Sequence, residues 1–569
     1  MHGLNLSTIP EILDGTKLLS ADDGLAGMRN LLPLPEASMF GAGKDPQELR
    51  NLMRKLSARI SRESDGNADR PEDETNPNLP SGYTYLLQFI AHDMVNTSIS
   101  LAVTRGRRFG FRNARQQPLT LETIYGGGPE VTPQAYEYSE RSAQSRGSMP
   151  RTRLRSGRAR KQSGSTEGMP FADIGRAQPV DVRDSGIAGL RCPRTEALIA
   201  DPRNEDQALI AQMTLLFHRM HNFIIEQMDA ANPPSTAPEA YRNFICARFV
   251  LALLYRKIII KDVLFRLLDP SVYRHYFLPG VDKNKLASGS GLDVLNRIPV
   301  EFSHGAFRFG HAMVRNRYDV NGNGQLDAGG AMRFNSRRSP EFTPLSSEWI
   351  VKWENFFRIN GRGEPKNFSR RLRPSFSSLA KSEFYFAPLM PVVDGDGDAP
   401  GLPSRDLISA IFGRVWSVPK LIDALREKKP ALADFLPTYD KFFPGLTAWL
   451  EDTGNPDGIS EQFEPEDIVA IAQDPPLPFF VLYEAMVSHD GKRLGPLGSI
   501  IVAETMVGAM EQYPLQVGKL TFDPQRRLKE QFGPLERLGV KDVTFNAIPE
   551  METFEDLLVF MQSKGLLDN

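Results

Sequence analysis

Between residues 207 and 232 apolar side chains return at Leu209, Met213, Leu216, Met220, Ile224 and Met228, a spacing of three to four that predicts a helix with one buried face. The same periodicity predicts helices over 46–62, about 83–96, 241–268, 299–317, 406–412, 419–427, 465–472, 478–486, 495–510 and 554–562. The 241–268 stretch is long and apolar throughout, which places it in the core. Alternating patterns that would specify strands are few, and no repeat period stands out. Residues 63–80 read as an acidic, Pro/Asn-rich loop. Residues 106–180, rich in Gly, Arg, Ser and Pro, read as a long loop. The class is therefore mainly α, in one large body with long loops and little β.

Composition narrows the possibilities. The chain of 569 residues carries 68 Lys and Arg against 70 Asp and Glu, so no global charge favours nucleic acid. Residues 141–161 hold eight basic side chains, but no aromatic lies between Tyr138 and Phe171 to stack on bases, which favours a solvated loop. No long uncharged apolar run predicts a membrane span, and the first residues lack a signal-peptide pattern. Two cysteines, Cys192 and Cys246, exclude a disulfide framework and fit a reducing compartment. A cytoplasmic location is the default expectation, with signal-independent secretion left open; the oligomeric state is not legible.

Three segments carry candidate chemistry. In Gly82–Asp93 a glutamine, Gln88, lies one turn before His92, so the two share a helix face while Asp93 points elsewhere. Asp201-Pro202-Arg203-Asn204-Glu205-Asp206 forms a turn before a helix containing His218-Arg219-Met220-His221-Asn222. Arg308-Phe309-Gly310-His311 sits within an apolar stretch. His218 and His221 are spaced like a metal pair but have no third ligand in a fitting pattern, so internal packing and hydrogen bonding is the better reading.

In order and content these segments resemble the distal histidine, the Asp-Pro-Arg-Asn turn and the Arg-x-Gly-His proximal motif of the animal-type haem peroxidase superfamily, in its bacterial branch. The resemblance runs over about 80–515 and includes Pro475–Glu504. It implies an N-terminal arm and loop (1–80), a helical haem peroxidase domain (81–520) and a C-terminal helical extension packed on it (521–569). It also implies haem b, with His311 as axial ligand and Arg308 facing a propionate. His92 would be the acid–base group, Arg203 the distal cation and Gln88 a hydrogen-bond donor to distal water or halide. The implied activity is reduction of hydrogen peroxide and oxidation of small donors (phenols, halides or thiocyanate) through a ferryl intermediate.

The resemblance also carries departures. Asp93 falls where the family binds calcium, with Pro118, Thr120 and Glu122 as the completing loop, but Thr120 and Glu122 replace the usual aspartates. One position for a covalent haem ester is Ala91 and the other is Asp206, one methylene short. The asparagine that supports the proximal histidine falls at Ser409, which predicts a weakly donating axial imidazole. Asp319–Asp327 begins like a calcium loop, but Gly330 stands at its twelfth position, so a turn is favoured. A fatty-acid dioxygenase would carry a tyrosine three residues before the proximal histidine, where this chain has Arg308. That alternative stays open, as does a haem-binding protein with vestigial activity serving as an interaction module.

Overall fold

Nearly every side chain of the Gly82–Met94 helix is buried in the computed structural model, which explains why an apolar run with so few polar residues forms there. The structure describes residues 28–62, 74–96, 113–115, 117–138, 150–159, 173–177, 196–277, 298–322, 325–327, 343–345, 347–359, 363–377, 401–436, 438–452, 463–511 and 549–567. Phe89 stacks on Phe217 at 4.4 Å and meets Tyr255 edge-on, so one aromatic cluster locks this helix to Ala208–Ala231 and Ala237–Ile258. Gly82 is required at its start, because a Cβ there would lie 2.1 Å from the Phe357 ring. The core extends from these helices through Leu402–Phe412, Leu477–His489 and Pro496–Glu511.

Local signals set most helix ends. Asp45 accepts the Gln47 and Glu48 N–H groups ahead of Pro46–Arg62. Gln207 accepts the Leu209 and Ile210 N–H groups ahead of Ala208–Ala231. Thr236 and Glu239 form a capping box, with a proline in the first turn, so the next helix starts at Ala237, four residues before the apolar periodicity becomes visible. That helix passes through a π turn, Ile259–Leu264, into Phe265–Leu267. The π turn presents Asp262 to Tyr83 Oη, Arg266 Nε and the Phe554 N–H, and the last of these docks the Phe554–Ser563 helix.

The structure corrects several expectations. Residues 299–317 do not form a regular helix: Glu301–Gly305 is a π turn, Ala306–Met313 is 3₁₀, and Arg317–Asp319 is a strand. The break lies at Gly305 (φ −123°, ψ −102°), which packs so closely on Leu477 that a Cβ would come within 2.5 Å of it. Thr75–Pro80, expected to be loop, is an antiparallel strand paired with Phe368–Arg370 and supported by the Glu74–Arg370 ion pair at 2.8 Å. Helices Pro270–Phe277 and Phe443–Glu451 escaped the periodicity reading. Arg317–Asp319 pairs with Gln325–Asp327 as a hairpin, in line with the turn reading of that segment. Much of the basic loop and Cys192 lie outside the described residues.

One buried acid makes the fold pH-sensitive. Glu484 accepts the Leu497 and Gly498 N–H groups, and burial pushes its carboxyl up from 4.5 to about 7. The native state therefore binds more protons than the unfolded chain between these values, so stability falls as pH rises through that window and levels off above it. The loss is on the order of 3 kcal/mol. Denaturant unfolding from pH 4.5 to 8 should show a shallower pH slope for Glu484→Gln than for the natural protein; equal slopes would refute the assignment.

Candidate active site

The described residues form two histidine-bearing sides, carried by the Gly82–Met94 helix and the Ala306–Met313 segment, which pack against each other. On the first side, His92 is buried and its Nδ1 lies 2.9 Å from Asn204 Oδ1. The Asn204 amide is oriented by its Nδ2, which donates to the Thr123 carbonyl and hydroxyl at 3.3 and 3.1 Å. Its Oδ1 is thus the acceptor, and His92 carries its proton on Nδ1 with the Nε2 lone pair open. Burial, reinforced by the Arg203 charge, lowers His92 to about 3, so the ring is a neutral base at ordinary pH.

Arg203 stands next to His92, held by two carbonyls and a carboxylate. Its Nη2 donates to the His92 carbonyl (2.9 Å) and its Nη1 to the Val95 carbonyl (2.7 Å), closing the end of the Gly82–Met94 helix. Its Nη2 also pairs with Asp201 Oδ2 at 2.7 Å. The guanidinium therefore acts on His92 through its nearby charge and by holding the turn. Burial pushes the Asp201 carboxyl up, but Arg203 and Arg115 together hold it well below the usual carboxylate range. Gln88 is half-buried on the same helix and accepts a hydrogen bond from Gln207 Nε2 at 3.0 Å. Asp206 follows the Pro202–Glu205 turn, half-buried.

The second side centres on His311, whose side chain is 33% exposed. Three residues per turn in the 3₁₀ segment bring Arg308 and His311 into line, so both reach one neighbouring helix. His311 Nδ1 lies 2.8 Å from Asp406 Oδ2, and Arg308 Nη1 lies 3.3 Å from Asp406 Oδ1. Arg308 Nη2 donates to Ser409 Oγ (3.3 Å) and its Nε to the Ser303 carbonyl (3.0 Å). This changes the expectation for Ser409. The residue supporting His311 is Asp406, one turn before Ser409, and Arg308 is directed into this network by the Asp406 charge. Haem fits the donor set, because a carboxylate can only accept, which leaves the proton on Nδ1 and the Nε2 lone pair of His311 available to iron.

Calcium does not fit. The two Asp93 oxygens accept the Leu121 and Thr123 N–H groups, each at 3.0 Å. Thr120 Oγ1 donates to the Gln117 carbonyl, while Glu122 accepts the Gln117 N–H, so the loop after Pro118 is closed by its own hydrogen bonds. Arg115 supplies the positive charge here, pairing with Asp201 and lying 3.8 Å from Glu122. Among the described residues no group of three acidic, His or Cys side chains could hold a metal ion. Burial raises Asp93 to about 6, against the opposing pull of Arg115 and the two N–H groups. His218 and His221 bond internally, to the Arg155 carbonyl and to Tyr125 and the Thr152 carbonyl.

Arg115 and Asp406 lie outside the sequence motifs, while Asn204 lies within the Asp-Pro-Arg-Asn turn, where the motif alone gives it no partner. Asp406 carried a readable signal, since it lies one turn before Ser409 on the same helix face. Arg115 carried none.

Residues 134–347 match the family model for animal haem peroxidase, a span that includes Arg203, Arg308 and His311. Thyroid peroxidases from Rattus norvegicus and Mus musculus are each 29% identical over 209 residues, covering 36% of this chain and 20% of theirs. The matched region thus spans about a fifth of the length of those relatives. Peroxidase A from Dictyostelium discoideum shares the fold, with a TM-score of 0.51 at 13% identity over 92% of this chain and 94% of that one. Residues 134–347 are thus similar to animal haem peroxidases in sequence, and the chain shares its helical fold with a peroxidase.

Proposed function

We propose that the protein is a haem peroxidase that reduces hydrogen peroxide and oxidises a small donor such as a phenol, a halide or thiocyanate. The observation that carries this reading is the His92 tautomer set by Asn204, which leaves Nε2 open as a neutral base. Bound haem supplies the redox equivalents. His92 Nε2 takes the proton from one peroxide oxygen and returns it to the other as the O–O bond breaks. Arg203, held beside His92 by Asp201 and two carbonyls, adds fixed positive charge where the leaving oxygen gains electrons. His311 would hold the haem iron through Nε2, its Nδ1 being held by Asp406.

The test is spectroscopic and then kinetic. Full-length protein supplemented with haem should develop a Soret band that His311→Ala abolishes, and should consume peroxide in the presence of phenol or bromide. Absence of a Soret band, or its retention in His311→Ala, overturns the assignment. Oxygen uptake with a fatty acid in excess of added peroxide would favour a dioxygenase. Full loading with turnover unaffected by His92→Ala would favour a binding protein.

A further inference from the structure

We infer that Asp406 is a positioning residue that makes His311 a strongly donating axial ligand, so that bound haem is held at a low reduction potential. This rests on the reading of His311 as the haem ligand. Substitution of the family's asparagine by Ser409 had suggested a weak imidazole, and the geometry reverses that. Ser409 Oγ serves Arg308, whereas the contact to His311 Nδ1 comes from a carboxylate oxygen at 2.8 Å.

Three features make the contact effective. The Asp406 side chain is only 4% exposed, so its charge is poorly screened by water. Its two oxygens divide their work, Oδ2 taking the His311 proton and Oδ1 the longer 3.3 Å contact to Arg308, which fixes the carboxylate rotamer. The carboxylate projects from the Leu402–Phe412 helix, which packs on Glu301–Gly305, the turn that leads directly into the Ala306–Met313 segment carrying His311. A carboxylate accepting the Nδ1 proton fixes the ring orientation and increases the basicity of the opposite nitrogen. It also places negative charge one ring away from the iron, which favours ferric over ferrous haem. Arg308 offsets part of that charge, but from the oxygen that does not face the histidine.

The experiment uses the full chain loaded with haem, reading the ferric/ferrous midpoint by spectroelectrochemistry and the iron–imidazole stretch of the ferrous form by resonance Raman. Natural protein should show a stretch above that of haem bound to free imidazole. Asp406→Asn should lower the stretch and shift the ferric/ferrous equilibrium about tenfold toward ferrous, a rise of about 59 mV for one electron. An unshifted midpoint in Asp406→Asn, or a natural-protein stretch equal to the free-imidazole reference, overturns the role of Asp406. The second of these readings needs no variant to fold. A stretch that persists in His311→Ala would instead show that His311 is not the ligand, a separate failure.

Discussion

His92→Ala is expected to lower kcat/KM for peroxide by about 10²–10⁴, with haem loading unchanged. The expected size comes from the job given to one atom. Moving a proton from one peroxide oxygen to the other needs a base that is unprotonated beforehand, and burial plus the Arg203 charge keep the His92 ring neutral. It also needs the correct nitrogen open, which the Asn204 amide secures through Nδ1. Alanine removes both properties, and about 3–5 kcal/mol of barrier lowering goes with them. Loading should survive because the proposed haem ligand, His311, lies on the other side. Stopped-flow mixing of haem-loaded protein with peroxide measures the effect, and retention of turnover within twofold would reduce His92 to a satisfied core histidine. Asn204→Ala should fall between the two proteins, since the base remains but its tautomer is no longer fixed.

Where regular helices have one apolar face, the sequence was a good guide. Pro46–Arg62 has the ends the pattern predicted, and Ala208–Ala231 lies within one residue of them. Failures lie where tertiary packing overrides periodicity. The apolar spacing of 299–317 is helical, yet close packing of Gly305 on Leu477 breaks the helix, and the 3₁₀ geometry that follows aligns Arg308 with His311. The candidate site divided in the same way. The motifs single out the histidines but not their hydrogen-bond partners. Asn204 lies 112 residues from His92, and Asp406 lies 95 residues from His311. Such contacts are set by how helices pack, which residue spacing does not encode. Calcium failed for a related reason: Asp93 remains in place, but its oxygens cap the Glu122–Tyr125 turn while a guanidinium from a segment with no motif supplies the positive charge.

That guanidinium carries the largest expected effect on stability. Arg115 is buried, and its Nε donates to the His92 carbonyl at 2.8 Å while Nη2 pairs with Asp201. Breaking one partner of a buried ion pair leaves an uncompensated charge, which costs about 3–5 kcal/mol. Arg115→Met keeps much of the apolar stem and removes the charge, so the loss reports electrostatics and hydrogen bonding rather than packing. The expected value sits at the lower end of that range, because Arg203 still pairs with Asp201 from the other side. Asp93 adds to the penalty: burial already raises its carboxyl, and Arg115 is the leading influence holding it down. Arg115→Lys should recover only part of the loss, since an ammonium lacks the fork that reaches a carbonyl and a carboxylate together. Denaturant unfolding of the three proteins at neutral pH measures this, and a change below about 1 kcal/mol in Arg115→Met, the scale of an exposed pair, would show that the Asp93–Asp201 region does not depend on this cation.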